Sequence, residues 1–179
     1  LVEVQLVVKD GDNDTATDKA ELGSLIKFED DGPTSNIAPA QGAEIRLDET
    51  DNDADDLNVG GILAASTVAA AVLFTDTSTF GSDGAAASGS KVYSLVLNAG
   101  ATGLTDSVSD QAIVLVNNAG TIEGRTAVGN DLVFTISINA GTGAVTVTQH
   151  RAIEHNDFPL DHDEADDPES MVGGLVEVQ

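Results

Sequence analysis

The N-terminal residues alternate apolar and polar positions as a β-hairpin does. A strand is predicted over residues 1–9, whose even positions are apolar: Val2, Val4, Leu6 and Val8. A second strand is predicted over residues 20–28, after a turn-forming acidic loop at residues 10–15. Because an isolated hairpin is only marginally stable in water, we expect this hairpin to dock on another surface.

The rest of the chain predicts a series of short strands separated by turns. A strand is expected over residues 43–47, an irregular stretch with one short helix over 57–74, and a Gly/Ser/Ala/Asp loop over 75–90. Further strands are expected over residues 92–97, 112–116, 121–126, 132–138, 144–149 and 175–178. Short strands at regular spacing indicate an all-β antiparallel sandwich, here with long acidic loops.

The stretch Phe28-Glu29-Asp30-Asp31-Gly32-Pro33-Thr34 places three acids where a predicted strand ends. Pro33 fixes its own φ and pushes Gly32 out of the helical region. A metal-clamped joint between two β-domains needs an acid cluster beside a stiff turn. A solvated turn with extra charge has the same sequence, and both interpretations remain open for this stretch alone.

A repeated pentapeptide suggests where that joint lies in a larger architecture. Residues 175–179 repeat residues 1–5 letter for letter, as Leu-Val-Glu-Val-Gln. A five-letter identity can arise by chance, but its placement favours a repeat cut from an array of whole domains. We therefore divide the chain into a hairpin at 1–28 that closes one repeat unit, an acidic joint at 29–34, and a sandwich at 35–179.

Charge excludes several classes of partner. The formal net charge is −24, from 31 acids against 7 bases. Nucleic acid and anionic membranes would repel such a chain, and the charge destabilises the compact state unless cations bind. No apolar run has transmembrane length and no signal peptide is visible. Without cysteine there is no disulfide, and calcium is the usual substitute in a secreted domain.

Six segments, in this order, resemble the long tandem repeats of giant repeats-in-toxin (RTX) adhesins, which bacteria export by type I secretion. They are Asp-Gly-Asp-Asn-Asp-Thr-Ala-Thr (10–17), Phe-Glu-Asp-Asp-Gly-Pro (28–33), Leu-Asp-Glu-Thr (47–50), Phe-Gly-Ser-Asp-Gly (80–84), Val-Tyr-Ser-Leu-Val-Leu (92–97) and Val-Thr-Val-Thr-Gln-His-Arg-Ala-Ile-Glu-His (145–155). The last segment is also similar to the strand that leads to a calcium-binding Glu in cadherins. The Gly-Gly-x-Gly-x-Asp nonapeptide of the RTX β-roll does not occur in the sequence.

The resemblance implies an immunoglobulin-like or cadherin-like sandwich that works as an extender at the bacterial cell surface. Such repeats are strung end to end and space a ligand-binding tip from the cell, for adhesion and biofilm formation. The partners it implies are adjacent repeats of the same chain. As an isolated domain we expect a monomer, with strand exchange between neighbouring molecules as an open alternative.

Calcium is the cofactor that the acids and the resemblance together predict, because it takes hard carboxylate, carbonyl and water oxygens. One candidate site is the loop in which Asp10, Asp12 and Asp14 alternate, although Asp-Gly-Asp is also simple turn chemistry. An EF-hand is rejected there, because Thr15 holds the position that requires Gly. Given the resemblance, the second candidate set is that of the joint with two further acids: Glu29, Asp30, Asp31, Glu49 and Glu154.

Catalysis is not expected, and no catalytic residue is assigned. The one polar trio worth naming is Glu154, His155 and Asp157, but adjacent residues on a strand point to opposite faces. The alternative function is a calcium-dependent sugar- or peptide-binding module of the same adhesin, using the loops at 48–56 or 157–169. The small number of aromatic residues, with one Tyr and no Trp, disfavours a sugar site.

Overall fold

The computed structural model describes residues 2–49, 61–155 and 168–179. The chain divides into a smaller unit, Leu1–Thr34 with Phe80–Gly84, and a larger unit, Ser35–Thr79 with Ala85–Gln179. It is nearly all β, with 40% strand and 5% helix, and its sheets are antiparallel. The prediction of an all-β antiparallel sandwich is confirmed. The described residues include no helix whose length and hydropathy would let it span a membrane.

The smaller unit is built on a hairpin of β1 (Glu3–Lys9) and β2 (Thr15–Glu21). The pairing is regular, from Glu3 opposite Glu21 to Lys9 opposite Thr15. The predicted second strand over 20–28 is wrong: β2 ends at Glu21, and a 3-10 turn follows at Gly23–Leu25. The acidic turn closes within five residues and fixes the register, so pairing begins at Thr15 in a stretch without large apolar side chains.

The larger unit contains ten strands and one short helix among its described residues. They are β3 (Ile37–Pro39), β4 (Ala64–Val68), α1 (Ala70–Leu73), β5 (Phe74–Asp76), β6 (Leu95–Leu97), β7 (Thr105–Asp106), β8 (Gln111–Asn118), β9 (Thr121–Thr126), β10 (Leu132–Ile138), β11 (Val145–Gln149) and β12 (Val176–Val178). The main sheet has the order β4-β11-β10-β9-β8-β7, and the smaller pairs are β12-β6 and β3-β5.

The core lies against one face of the main sheet. Alternation along β9 buries Ile122 and Thr126 on that face, and Ile113 and Val133 from the neighbouring strands are almost fully buried. Leu95 of β6 belongs to the same buried cluster, and residues of β12 pack against it. The β6–β12 pair therefore covers the core opposite the main sheet, as expected for a sandwich.

Three further predictions differ from the structure. Residues 43–47 form no assigned strand, although Ala43 and Ile45 pack against the core. The stretch 57–74 was expected to be irregular with one short helix. Its described part contains α1 but also the edge strand β4, whose Ala-Ala-Ser-Thr-Val sequence is too weakly apolar to show a period. Of the strand predicted over 92–97, Leu95–Leu97 is the part that is assigned as strand.

Candidate metal centre

The turn between β1 and β2 brings three predicted ligands together. Asp10 N donates to Asp14 O at 3.0 Å, and Asp14 N donates to Asp10 Oδ1 at 2.8 Å. Asn13 adopts a left-handed conformation, with φ of 78°, which Asn tolerates better than most residues. As a result, one carboxylate oxygen from each of Asp10, Asp12 and Asp14 lies within 4.8 Å of the others, and all three residues are exposed.

The chemistry of this donor set fits calcium. The pKa of Asp10 lies below its ordinary value of 3.8, mainly because of a hydrogen bond with the Asp12 carboxyl group and also because backbone amides donate to it. Carboxylates this close repel one another when ionised, so a cation between them is favoured. Calcium accepts six to eight oxygens, and an exposed turn leaves room for carbonyls and water to complete the shell.

The joint acids lie in a different setting. Glu29, Asp30 and Asp31 are exposed and lie outside regular structure, and the neighbouring Phe28 is 94% exposed. In the described part of the chain, the Asp10–Asp12–Asp14 group is the one cluster of three or more potential ligands, so the three joint acids do not converge among themselves. That they face Glu49 or Glu154 across an ion stays a prediction.

The loop Phe80–Gly84 contacts the joint within the smaller unit. Ser82 Oγ donates to Asp31 Oδ2 at 3.2 Å. Gly81 has a left-handed φ of 74°, and a Cβ there would lie 2.1 Å from the Asp31 carbonyl oxygen. The two segments 28–33 and 80–84, which are far apart in sequence, are therefore structural partners, and this close approach requires a glycine at position 81.

Glu49 binds the segment that follows β11, and Glu154 is a residue of that segment. Glu49 Oε1 accepts hydrogen bonds from Ile153 N at 3.0 Å and from Gln149 Nε2, and His155 Nε2 lies 3.8 Å away. Glu154 has an exposed side chain, and its amide donates to Thr105 O at 2.9 Å. The Oε1 atom of Glu49 therefore anchors a backbone segment, and a metal role for these two residues stays a prediction.

An ion pair with a buried carboxylate includes Arg151 of this segment, and the sequence did not reveal it. Asp106 is fully buried and receives hydrogen bonds from Arg151 Nε and Nη2, both at 2.8 Å. Ser109 N also donates to it at 2.9 Å, which closes the turn that follows β7. These donors, Arg151 foremost, lower the pKa of Asp106 to about 2. The chain has seven basic residues and 31 acidic ones, so each Arg was a candidate for an ion pair. The composition does not show which acid is its partner.

The larger unit also has a surface depression of about 380 Å³, lined in part by Phe74, Tyr93 and Thr142. Lys91 Nζ pairs with Asp76 Oδ2 at 2.5 Å, and Asp76 lies in the lining. The loops proposed for sugar or peptide binding lie mostly outside the described residues, and so does Asp157 of the polar trio. The binding-module alternative is therefore neither supported nor opposed by these contacts.

Comparison with known proteins gives one family. Residues 44–179 match a domain of unknown function, DUF5801. No curated protein and no solved structure matches the chain. The matched residues make up more than half of the sequence and cover β4 to β12, which include the whole main sheet. The chain therefore belongs to the DUF5801 family.

Proposed function

We propose that this chain is a structural extender repeat of a bacterial cell-surface adhesin, exported to the extracellular side and stiffened by calcium. It spaces a ligand-binding region from the cell for adhesion and biofilm formation. The observation that carries the proposal is that Leu-Val-Glu-Val-Gln occurs twice and contributes a strand each time, to β1 and to β12. The same letters in the same secondary structure are typical of a unit that recurs along an array.

The acidic turn supports the calcium part of the proposal. Asp10, Asp12 and Asp14 already bring their carboxylates together at the tip of the hairpin. The net charge of −24 makes cation binding favourable for the whole molecule, because it relieves self-repulsion. A calcium ion would bind at these three carboxylates, where it would hold the turn and reduce the local charge.

The polar contacts of the larger unit support a structural role. The partly exposed Arg151 neutralises the buried carboxylate of Asp106, and Glu49 holds the segment after β11. In these contacts the acids serve to fasten strands and turns. This use of charge is what a spacer domain requires, since its task is to keep its shape.

The test is thermal unfolding in calcium and in chelator. For a site with Kd of about 0.1–1 mM, about 10 mM calcium adds roughly 1.4–2.7 kcal/mol of stability. We expect scanning calorimetry to show a higher melting temperature in calcium than in excess EDTA. We also expect the amide resonances of residues 10–14 to shift when calcium is added.

The matched variants are Asp12→Asn and Asp18→Asn, which remove the same charge from the same hairpin. Asp18 lies on β2, outside the acidic cluster. Asp12→Asn should reduce the calcium-induced shifts of the amide resonances of residues 10–14, and Asp18→Asn should not change them. Identical melting temperatures in calcium and in EDTA would contradict the calcium part of the proposal.

A further inference from the structure

The two copies of Leu-Val-Glu-Val-Gln differ sharply in their surroundings. In the second copy Leu175 is 6% exposed, and Val176 and Val178 pack against the core. In the first copy, the equivalent residues Val2 and Val4 are 55% and 53% exposed. The even-numbered valines of the repeat therefore pack against the core in one copy and are more than half exposed in the other.

The bare face continues along the hairpin beyond the repeated letters. Leu6 and Val8, on the same side of β1 as Val4, are 62% and 56% exposed. A row of exposed branched apolar side chains on an antiparallel strand indicates an interaction surface that a binding partner covers.

The backbone edges show which surface could cover it. On β12 the odd-numbered positions bond to β6: Gln179 and Ser94 exchange two hydrogen bonds of 2.9 Å, and Asn98 N donates to Leu175 O at 2.8 Å. On β1 the even-numbered positions bond to β2, since Leu22 N donates to Val2 O at 2.9 Å and Asp10 N to Asp14 O. Antiparallel strands alternate these roles, so Glu3 and Gln5 direct their N–H and C=O groups to the edge of β1 that faces away from β2, which pairs with no other strand in the described part of the chain.

We propose that the β6 edge of the larger unit is a docking site for the β1–β2 hairpin of a second copy of this chain. β1 would take the place of residues 175–179, with Val2, Glu3 and Val4 opposite Leu97, Val96 and Leu95, by the register of β12. The groups that bond to β6 are those that β1 leaves unpaired, so the hairpin docks without opening and β2 becomes a third strand. The choice of a second copy as occupant rests on the proposed array of repeats.

Cysteine crosslinking tests the register, because the natural chain has no cysteine. The donor carries Glu3→Cys. The acceptor carries Val96→Cys, with Val176→Asp and Val178→Asp to release its own β12 and Val4→Asp to disable its own hairpin. Opposed residues on antiparallel strands lie about 5.5 Å apart at Cα, within disulfide reach. The mixture is kept in EDTA, so that failure of the calcium proposal and failure of docking are separate results.

We expect a disulfide-linked heterodimer on a non-reducing gel. When the donor also carries Val4→Asp, the yield of the heterodimer should fall about tenfold, because docking buries that valine. The positional control is a donor with Asp12→Cys, an exposed residue in the turn of the same hairpin. Equal yield from Glu3→Cys and Asp12→Cys, or a yield unchanged by Val4→Asp, would overturn the proposal.

A second chain decides the matter if circular dichroism shows the acceptor unfolded. Residues 6–21 are added directly after Gln179 of the unmodified chain, so that residues 175–179 become the first strand of a docked hairpin. The amide of Val178, which points away from β6 and would pair with Ala20 of the extension by the register of β1 and β2, should gain protection from hydrogen exchange. The control extension has the same residues in reverse order. Unchanged exchange relative to that control would refute the docking.

Discussion

At the scale of single residues, Asp106 shows how an acidic chain uses its few bases. Its carboxylate is buried, is held by both Arg151 donors and Ser109, and lies where β7 bridges to Ile153. The folded-state pKa of about 2 lies below the ordinary 3.8, so the pair contributes stability above pH 3.8 that is lost as pH falls towards 2. Asp76, with its pKa also lowered to about 2 by Lys91, titrates in the same window.

We predict that Asp106→Asn lowers the free energy of unfolding by about 2 kcal/mol at pH 7, since it leaves the Arg151 guanidinium without its charge partner. The difference from wild type should shrink between pH 4 and pH 2, where the native carboxylate itself becomes protonated. Urea unfolding at several pH values measures this. Asp110→Asn is the control, because Asp110 is exposed and has a left-handed φ of 59° that Asn also adopts. A constant difference across that pH range would contradict the assignment.

At the scale of elements, the strands β9 and β10 pack closely because a glycine of one strand lies against an aromatic ring of the other. Gly124 lies opposite Phe134, next to an irregularity in the register between Leu132 and Phe134. A Cβ on Gly124 would lie 2.4 Å from a ring carbon of Phe134, which is 4% exposed. The buried ring therefore covers the glycine, and this contact helps to set how the two central strands pair.

Gly124→Ala should accordingly destabilise the chain by about 1–3 kcal/mol, the cost of forcing extra volume into a packed core. Gly173→Ala is the matched control, since nothing lies within 4 Å of a Cβ at that position. Chemical denaturation of the two variants compares them directly. Equal stability of both variants would show that the Phe134 ring can move aside at little cost.

The elements also show what a sequence pattern can and cannot predict. β10 matched the prediction over residues 132–138 because that segment is a clear apolar run. β9 matched the weaker strand predicted over residues 121–126, next to the turn signal at residues 117–120. β4 was missed since its alanine and hydroxyl side chains become half-buried only by pairing with β11. At the candidate site, the alternation of Asp10, Asp12 and Asp14 predicted their convergence. The pairing of Asp106 with Arg151 joins residues 45 positions apart and follows only from the strand order.

At the scale of the whole molecule, charge is the dominant property. A net charge of −24 on 179 residues opposes folding through general repulsion, which any salt screens. At an ionic strength of about 0.1 M the screening length is about 10 Å, so distant charges are relieved without any bound ion. A specific calcium site adds to this screening, and the two contributions separate when ionic strength is held equal.

We therefore predict that the melting temperature differs between about 10 mM calcium chloride and about 30 mM sodium chloride, which have the same ionic strength. Sodium should raise the melting temperature gradually, with no saturation set by a binding constant. Calcium should raise it further and then level off, because a site with finite affinity fills. Magnesium chloride at the calcium concentration is the control, since magnesium keeps its water and suits a loose carboxylate turn less well. Superimposable curves for calcium and sodium would reduce the role of calcium to screening, and the stiffness of the proposed array would then depend on strand docking alone.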